Sequence, residues 1–505
     1  MRVADSCDVF VIGAGPAGST AAQILASWGW SVTLVHRAAS HPPLAESLPS
    51  STRKLLHFLG QLDRVDAAGF YPNQGNVAQW AGAARATRTS DAGFHVSRDQ
   101  FDRVLRDAAV AARVRMVDAV VRRVEMGDPI RVTYATRDGV ATSHARYVLD
   151  CSGRAGVIAR RGFRRTGADY RTLAITAEWN CGTWPSDERT QTAIESYRDG
   201  WAWSVPLSRT RRQCTVMIEP HRPGPLKRGM GEGGSAEASA RQTIYDRELT
   251  KSAALSARLT GATQVSTPWA CDASIYDAVR VADEGVLLVG DAASFIEPLS
   301  SAGVKKALLS AWRAAVVTNT CLSNPALAGA ATELYAKRER QVYADCMRRA
   351  RAFFAEAADA HGTPFWSLRA DGAVAADGAD AGDEVSDEAI ARDPNVRLAF
   401  EQLRAAEHVR LRPAASLRFE PVASIEGREV VMRDALVVQG LSAPLQFTAG
   451  VNLPALARLA TGRDEVPALL AAYRAQVGPV PLNGLLTGLS LLVARHALVP
   501  EGSTL

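Results

Sequence analysis

The sequence predicts an α/β chain in which one domain is laid down in two separated stretches with a β-sheet domain between them, followed by a small C-terminal α+β unit. Three observations carry this expectation. A short apolar run at 9–12 enters Gly13-Ala14-Gly15-Pro16-Ala17-Gly18, then a helical stretch at 19–28 and a strand-like run at 31–35, which together make a β-α-β unit. A second apolar run at 285–289 feeds another glycine-bearing turn and a long helix. Between them, strand-like runs recur at 119–124, 130–135, 147–150, 174–179, 203–205 and 215–219.

Length and composition allow this architecture and exclude others. The 505 residues set a prior of about three domain-sized units, and a 47% hydrophobic fraction is ample for a large core. The formal charge is only +5, from 58 basic and 53 acidic residues spread along the chain, so no footprint for nucleic acid stands out. Almost all the positive charge is arginine; lysine occurs only at Lys54, Lys227, Lys251, Lys305, Lys306 and Lys337. Seven scattered cysteines, never in C-x-x-C spacing, argue against a disulfide framework or a zinc site and fit a reducing compartment. The first residues lack the pattern of a secretory signal, and the longest late apolar run, 482–494, is too short to span a bilayer. A cytoplasmic protein without membrane or metal partners is expected.

Two stretches read as punctuation. Residues 223–237 are rich in Gly, Pro and Ser and predict a mobile loop; 370–393 are rich in alanine, glycine and acidic residues with few large apolar side chains. The expected boundaries are 1–370 for the interleaved domains, 371–395 for a linker and 396–505 for the C-terminal domain. Within the last, strands are expected at 416–422, 429–433 and 435–439, and helices at 453–461, 464–476 and 482–496.

The first glycine turn follows the G-x-G-x-x-G pattern between a strand and a helix, the context in which it binds a dinucleotide. Gly13 makes the turn, Gly15 lets the backbone approach a pyrophosphate, and Gly18, next to Ala17, permits close helix packing. The acidic residue expected at the end of the second strand is replaced by His36, followed by Arg37, either of which could reach the adenosine end. The second turn, Gly290-Asp291-Ala292-Ala293, followed by Pro298-Leu299-Ser300-Ser301-Ala302-Gly303-Val304, resembles the second FAD motif of glutathione-reductase-type flavoproteins. The resemblance implies that Asp291 accepts from a ribityl hydroxyl and that the amides around Gly303 and Val304 face the flavin N1/O2 edge. Arg98-Asp99-Gln100-Phe101-Asp102 matches a third recurring element of that group, whose arginine lies near the cofactor. Together the three motifs predict FAD.

Beyond these motifs, roughly residues 5 to 350 resemble the flavin-dependent halogenases and their monooxygenase relatives. Glu46-Ser47 followed by Pro49 is similar to the element beside the flavin, and Gly200-Trp201-Ala202-Trp203-Ser204-Val205-Pro206 is similar to the W-x-W-x-I-P signature that separates flavin from substrate. Their i, i+2 spacing also fits two core aromatics on one strand face. Halogenation in that family needs a lysine downstream of the E-S element, and here none occurs between Lys54 and Lys227; the stretch 73–82 offers Gln74, Gln79 and Trp80. Direct oxygen transfer from the flavin C4a position to an electron-rich aromatic ring is therefore expected.

The C-terminal L-x-x-L-x-x-G-R-D pattern, Leu456 to Asp464, resembles the winged-helix recognition module of peptide-modifying enzymes. With the lysine-less core, it implies kinship with the maturation flavoproteins of quinone-cofactor enzymes, monooxygenases that hydroxylate a protein tryptophan during tryptophylquinone formation. The implied partners are a protein or peptide bearing that tryptophan, molecular oxygen, and NAD(P)H or a flavin reductase. Trp201, Trp203, Gln79 and Pro298 are the expected substrate contacts. Glu297 is the candidate base for the ring proton, or alternatively a cap on the following turn. Rival readings are a small-molecule aromatic hydroxylase or halogenase, and a scaffold that binds a peptide and keeps flavin only structurally.

Overall fold

The computed structural model describes residues 5–37, 42–165, 170–182, 184, 189–220, 235–371, 390, 392–406, 408–438, 441, 443–463 and 465–501. The chain divides into two units, Met1–Gly378 and Ala379–Leu505.

The larger unit is built on two sheets. In the first, Val286–Leu288, Gly139–Asp150, Asp5–Ile12, Val32–His36 and Arg115–Asp118 lie side by side in that order and run parallel. Val9, Phe10, Val11, Leu34, Val148 and Leu287 are completely buried, the continuous apolar pattern of strands covered on both faces. Helices Pro16–Ser27 and Gly303–Ser323, which follow the two glycine turns, pack against each other. Both turns thus stand at the carboxyl ends of parallel strands, where α/β sheets place their ligands.

The second sheet has nine strands, drawn from 45–97 and 173–272, which is the predicted interleaving. Tyr71–Trp80 pairs with Ala83–Ser97 in a long hairpin on one side and, in parallel, with Thr192–Tyr197 on the other. Beyond Thr192–Tyr197 follow Gly200–Pro206, Arg211–Ile218 and Leu173–Asn180. Alternation along Gly200–Pro206 turns Ala202 toward Tyr245 and Leu249 of helix Ser235–Lys251, and Trp201 and Trp203 toward an aromatic cluster on the opposite face.

The C-terminal unit gathers Leu436, Val451, Leu453, Leu456, Leu485, Leu489 and Leu492 into its own core. It contains helix Pro394–Ala405, capped by the Asp393 side chain on the Asn395 amide. A hairpin of Arg418–Glu426 and Glu429–Val437 and helices Leu453–Ala460, Val466–Gln476 and Leu482–Ala494 follow. The two strands expected at 429–433 and 435–439 are one. Asp434, which reads as a break, points its carboxylate outward to Arg458 and leaves the ladder intact.

Most of the loop expected at 223–237 lies outside the described residues, and its last three residues open helix Ser235–Lys251. The expected linker 371–395 is likewise mostly outside, as is Asp464. Among the described residues no helix is long and apolar enough to cross a membrane.

Candidate active site

The first glycine turn is shaped so that two of its glycines admit no side chain. Gly13 sits at φ +102°, and a Cβ there would lie 2.5 Å from the Cys151 carbonyl oxygen; at Gly18 it would lie 1.8 Å from the Gly13 carbonyl oxygen. Gly15 is different. Its nearest neighbours to a Cβ would be Asp102 Oδ2 at 3.9 Å and Arg98 Nη2 at 4.0 Å, ordinary contact distances. Helix Pro16–Ser27 starts directly after it, so its positive end faces the turn.

The other two elements converge on this turn. Gly290 has φ +63°, and a Cβ there would stand 3.1 Å from the Ala17 Cβ, so the two glycine elements touch through Ala17. Arg98, opening helix Arg98–Ala111, donates to both Asp102 carboxylate oxygens at 3.0 and 3.2 Å and to Glu46 at 3.3 Å. Asp291 lies in the field of both Glu46 and Arg98. Three stretches far apart in sequence therefore present one cradle of excluded side chains, a helix N-terminus and a half-exposed Asp291, which fits the pyrophosphate and ribityl chain of FAD. Gly303 and Val304 form the first turn of helix Gly303–Ser323. Arg37 is exposed at the strand end, whereas His36 is half-buried. Burial lowers the His36 imidazole below its usual range, with Asp118, its neighbour on the next strand, pulling the other way.

Lys306 was not singled out by sequence. It is 4% exposed, and its ammonium donates to the carbonyls of Gly290, at 3.1 Å, and of Ser294, and lies 3.5 Å from Asp291 Oδ1. Its place after Gly303-Val304 was the available signal. Neighbouring Lys305 donates to Ser51 Oγ at 3.3 Å.

Beside the E-S element lies a cavity of about 130 Å³ lined by Ser47, Pro49, Ser50, Asn73, Gly75, Asn76, Thr87, Thr89 and Ser301. Ser47 Oγ is hydrogen-bonded to Thr192 Oγ1 at 2.7 Å and accepts from Asn73 Nδ2 at 2.9 Å. Asn73, buried and also donating to the Leu48 carbonyl, stands at the start of the stretch without lysine; sequence reasoning passed over it in favour of Gln79. Gln79 is exposed and absent from the cavity wall, because strand alternation turns Trp80 inward instead.

Trp80 joins Trp201, Trp203 and Trp366 in the aromatic cluster. Trp201 and Trp203 stack with ring centroids 4.7 Å apart, and Trp80 meets Trp201 and Trp366 edge-on at 6.4 and 5.5 Å. Phe295 and Leu299 pack on the same cluster, so the turn that carries Pro298 borders it. Trp201 is 2% exposed and Trp203 only half-buried. Replacing Trp201 by Ala is expected to cost about 3–5 kcal/mol of stability, and Trp203 markedly less, read as thermal denaturation midpoints.

Glu297 is buried at the N-terminal boundary of the turn Pro298–Ser300, but its side chain makes no capping bond to that turn. Burial pushes its carboxyl up to about 7, against the pull of the Arg369 guanidinium. Arg369, itself buried, donates to the Phe365 and Arg171 carbonyls at 2.8 and 3.1 Å and lies over the Tyr170 ring. A carboxyl poised near neutrality is suited to accept a proton.

The family model of tryptophan halogenases matches residues 61–380. Tryptophan 2-halogenase of Chondromyces crocatus is 28% identical over 355 residues, covering 66% of this chain and 65% of that protein. The chain thus spans just under two thirds of the length of that relative. The flavin-dependent halogenase CmlS superposes with a TM-score of 0.74 at 21% identity, over 100% of this chain and 97% of that one. QhpG, a peptidyl tryptophan dihydroxylase essential for tryptophylquinone cofactor biogenesis, superposes with a TM-score of 0.64 at 23% identity, over 94% of this chain and 100% of that one. These two likenesses establish the fold, the α/β class expected from sequence. Halogenases of this fold are known with FAD bound. With a family match across most of the larger unit and three flavin motifs drawn into one cradle, the chain belongs to the tryptophan halogenase family of flavin-dependent enzymes and takes FAD as its cofactor.

Proposed function

We propose that this chain is an FAD-dependent monooxygenase that hydroxylates a tryptophan side chain of a protein or peptide, in the maturation of a quinone cofactor. The observation that carries the reading is the cavity beside the E-S element, whose wall of hydroxyl and amide groups includes no amine among the described residues. Lys306 is committed to two backbone carbonyls and Asp291, and Lys305 to Ser51. The likeness to QhpG over nearly the whole chain supports a peptidyl substrate, and the named relatives support the second reading, a halogenase or hydroxylase of small aromatic molecules.

In this reading Gly13, Gly15, Gly18, Asp291, Arg98 and Glu46 hold FAD, which when bound supplies the activation of molecular oxygen. Ser47 and Asn73, locked to each other and to Thr192, fix the wall of the cavity against which the substrate ring is oriented. Trp201 and Trp203, in the cluster that borders the turn carrying Pro298, are assigned to excluding water. As the new C–O bond forms at a ring carbon, Glu297 accepts the proton that leaves that carbon. Reducing equivalents come from NAD(P)H or a flavin reductase. The C-terminal unit, with its long hairpin of Arg418–Glu426 and Glu429–Val437, is assigned to polypeptide recognition.

The test is mass spectrometry of tryptophan-containing polypeptides and of free tryptophan after turnover with reduced flavin and oxygen. Gain of one or two oxygen atoms on tryptophan within a polypeptide, with free tryptophan untouched, is the expected result. Modification of free tryptophan or another small aromatic alone contradicts it.

A further inference from the structure

We propose that the substrate polypeptide docks by adding as an extended strand to the open edge formed by residues 83–91 of strand Ala83–Ser97. This inference rests on the reading that the substrate is peptidyl and adds, to the recognition assigned to the C-terminal unit, a second grip that borders the cavity.

Residues 83–91 are all exposed. On the inner side residues 83–88 pair with residues 75–80, the ladder skips 89–91 at an irregularity, and Ala45–Leu48, the next strand outward, pairs only with residues 94–97. Among the described residues, no strand covers the outer side of 83–91. The Thr87 carbonyl is turned inward, where it accepts from the Gln191 side chain at 3.2 Å. Antiparallel alternation then turns the peptide groups of Ala86 and Arg88 outward. Such rows of unpaired donors and acceptors are templates for another strand, and proteins usually blunt them. Here Ala83, Ala84 and Ala86 keep the backbone approachable.

Two further observations name the occupant. Thr87 and Thr89 of this edge line the cavity beside the E-S element, so the edge runs past its wall. A strand laid against residues 83–91 carries alternate side chains on the face of Thr87 and Thr89, and one of them is presented to that cavity. The second observation is charge. Arg85 is paired with Glu356 at 2.9 Å, while Arg88 is exposed on the edge. The partner that fits is an extended segment with an aromatic residue facing the cavity and an acidic residue near Arg88.

The experiment uses the full-length FAD-loaded protein and a library of extended peptides with a fixed central tryptophan and randomised flanks, read by mass spectrometry. Ala86→Pro removes an outward N–H at an edge position that tolerates proline, and Arg88→Glu reverses the charge. Ala86→Pro is expected to lower kcat/KM for the modified peptides about tenfold, the effect of one lost backbone hydrogen bond with its neighbours disturbed. FAD content should be unchanged. Arg88→Glu, a surface change that leaves folding intact, is expected to move the enriched flanking residues from acidic to basic. Wild-type rates and preferences in both variants overturn the docking edge while leaving the peptidyl reading standing. A wild-type protein that modifies no library member overturns both.

Discussion

Gly15→Val is expected to give a folded protein that no longer retains FAD, whereas Gly18→Ala is expected to damage the fold itself. The difference follows from what a side chain meets at each position. At Gly15 a Cβ has only the ends of Asp102 and Arg98 at 3.9 and 4.0 Å, so the polypeptide accommodates it, and what is lost is the space for a pyrophosphate over the backbone. Affinity for FAD should fall by about a hundredfold or more, a loss of about 2.7 kcal/mol. At Gly18 the Cβ would lie 1.8 Å from the Gly13 carbonyl oxygen, so turn and helix must separate, at a cost of about 3 kcal/mol. Flavin absorbance after gel filtration, beside circular dichroism melts, separates the two outcomes. A Gly15→Val protein with a full complement of FAD would refute the cradle.

Glu297→Gln is expected to lower turnover by about a hundredfold or more while making the protein more stable above neutral pH. The carboxyl is raised from 4.5 to about 7, chiefly by burial. Because the folded state holds this proton more tightly than the unfolded chain, the contribution to stability is fully present below the ordinary glutamate range and is lost as pH rises toward about 7. Above that the ionised group costs about 3 kcal/mol, which glutamine avoids. Activity runs the other way: a base must be ionised, so wild-type turnover should climb through pH 7, and the inflection should vanish in the variant. Melts at pH 5 and 8 with a pH–rate profile test both arms. Unaltered turnover and pH profile in Glu297→Gln would exclude Glu297 as the base.

The frame of the site was legible because its constraints are local. The strand–glycine turn–helix units at 9–28 and 285–323 each carry their own hydrophobic period and turn residues, so their type follows from sequence alone, and Trp201 and Trp203 share a face by strand periodicity. What escaped depends on pairing between distant segments. Asn73 becomes important only because Ala83–Ser97 carries Tyr71–Trp80 on one side and Ala45–Leu48 on the other, which brings the Asn73 amide within reach of Ser47. That Gln79 is exposed and stands outside the cavity wall has the same cause, since a strand's inward face depends on its partners and a bulge near Asn73 and Gly75 shifts the register. The exposed, polar run at 83–88 carries no apolar period to mark it, yet its ladder with Tyr71–Trp80 makes it part of a strand. Lys306, a charged residue on a helix that follows a flavin motif, looks like a solvated side chain until tertiary packing encloses it among the Gly290 and Ser294 carbonyls.

The central claim is that a halogenase-like core transfers oxygen rather than halogen. The most direct measurement is a competition: the FAD-loaded protein, reduced flavin, oxygen and a tryptophan-containing substrate polypeptide are combined with excess bromide, and the product is read in one mass spectrum. The account predicts mass gains of whole oxygen atoms on the tryptophan and no bromine isotope pattern, since the cavity wall offers, among the described residues, no amine to hold a halogen. Brominated tryptophan at a rate comparable to hydroxylation would contradict it.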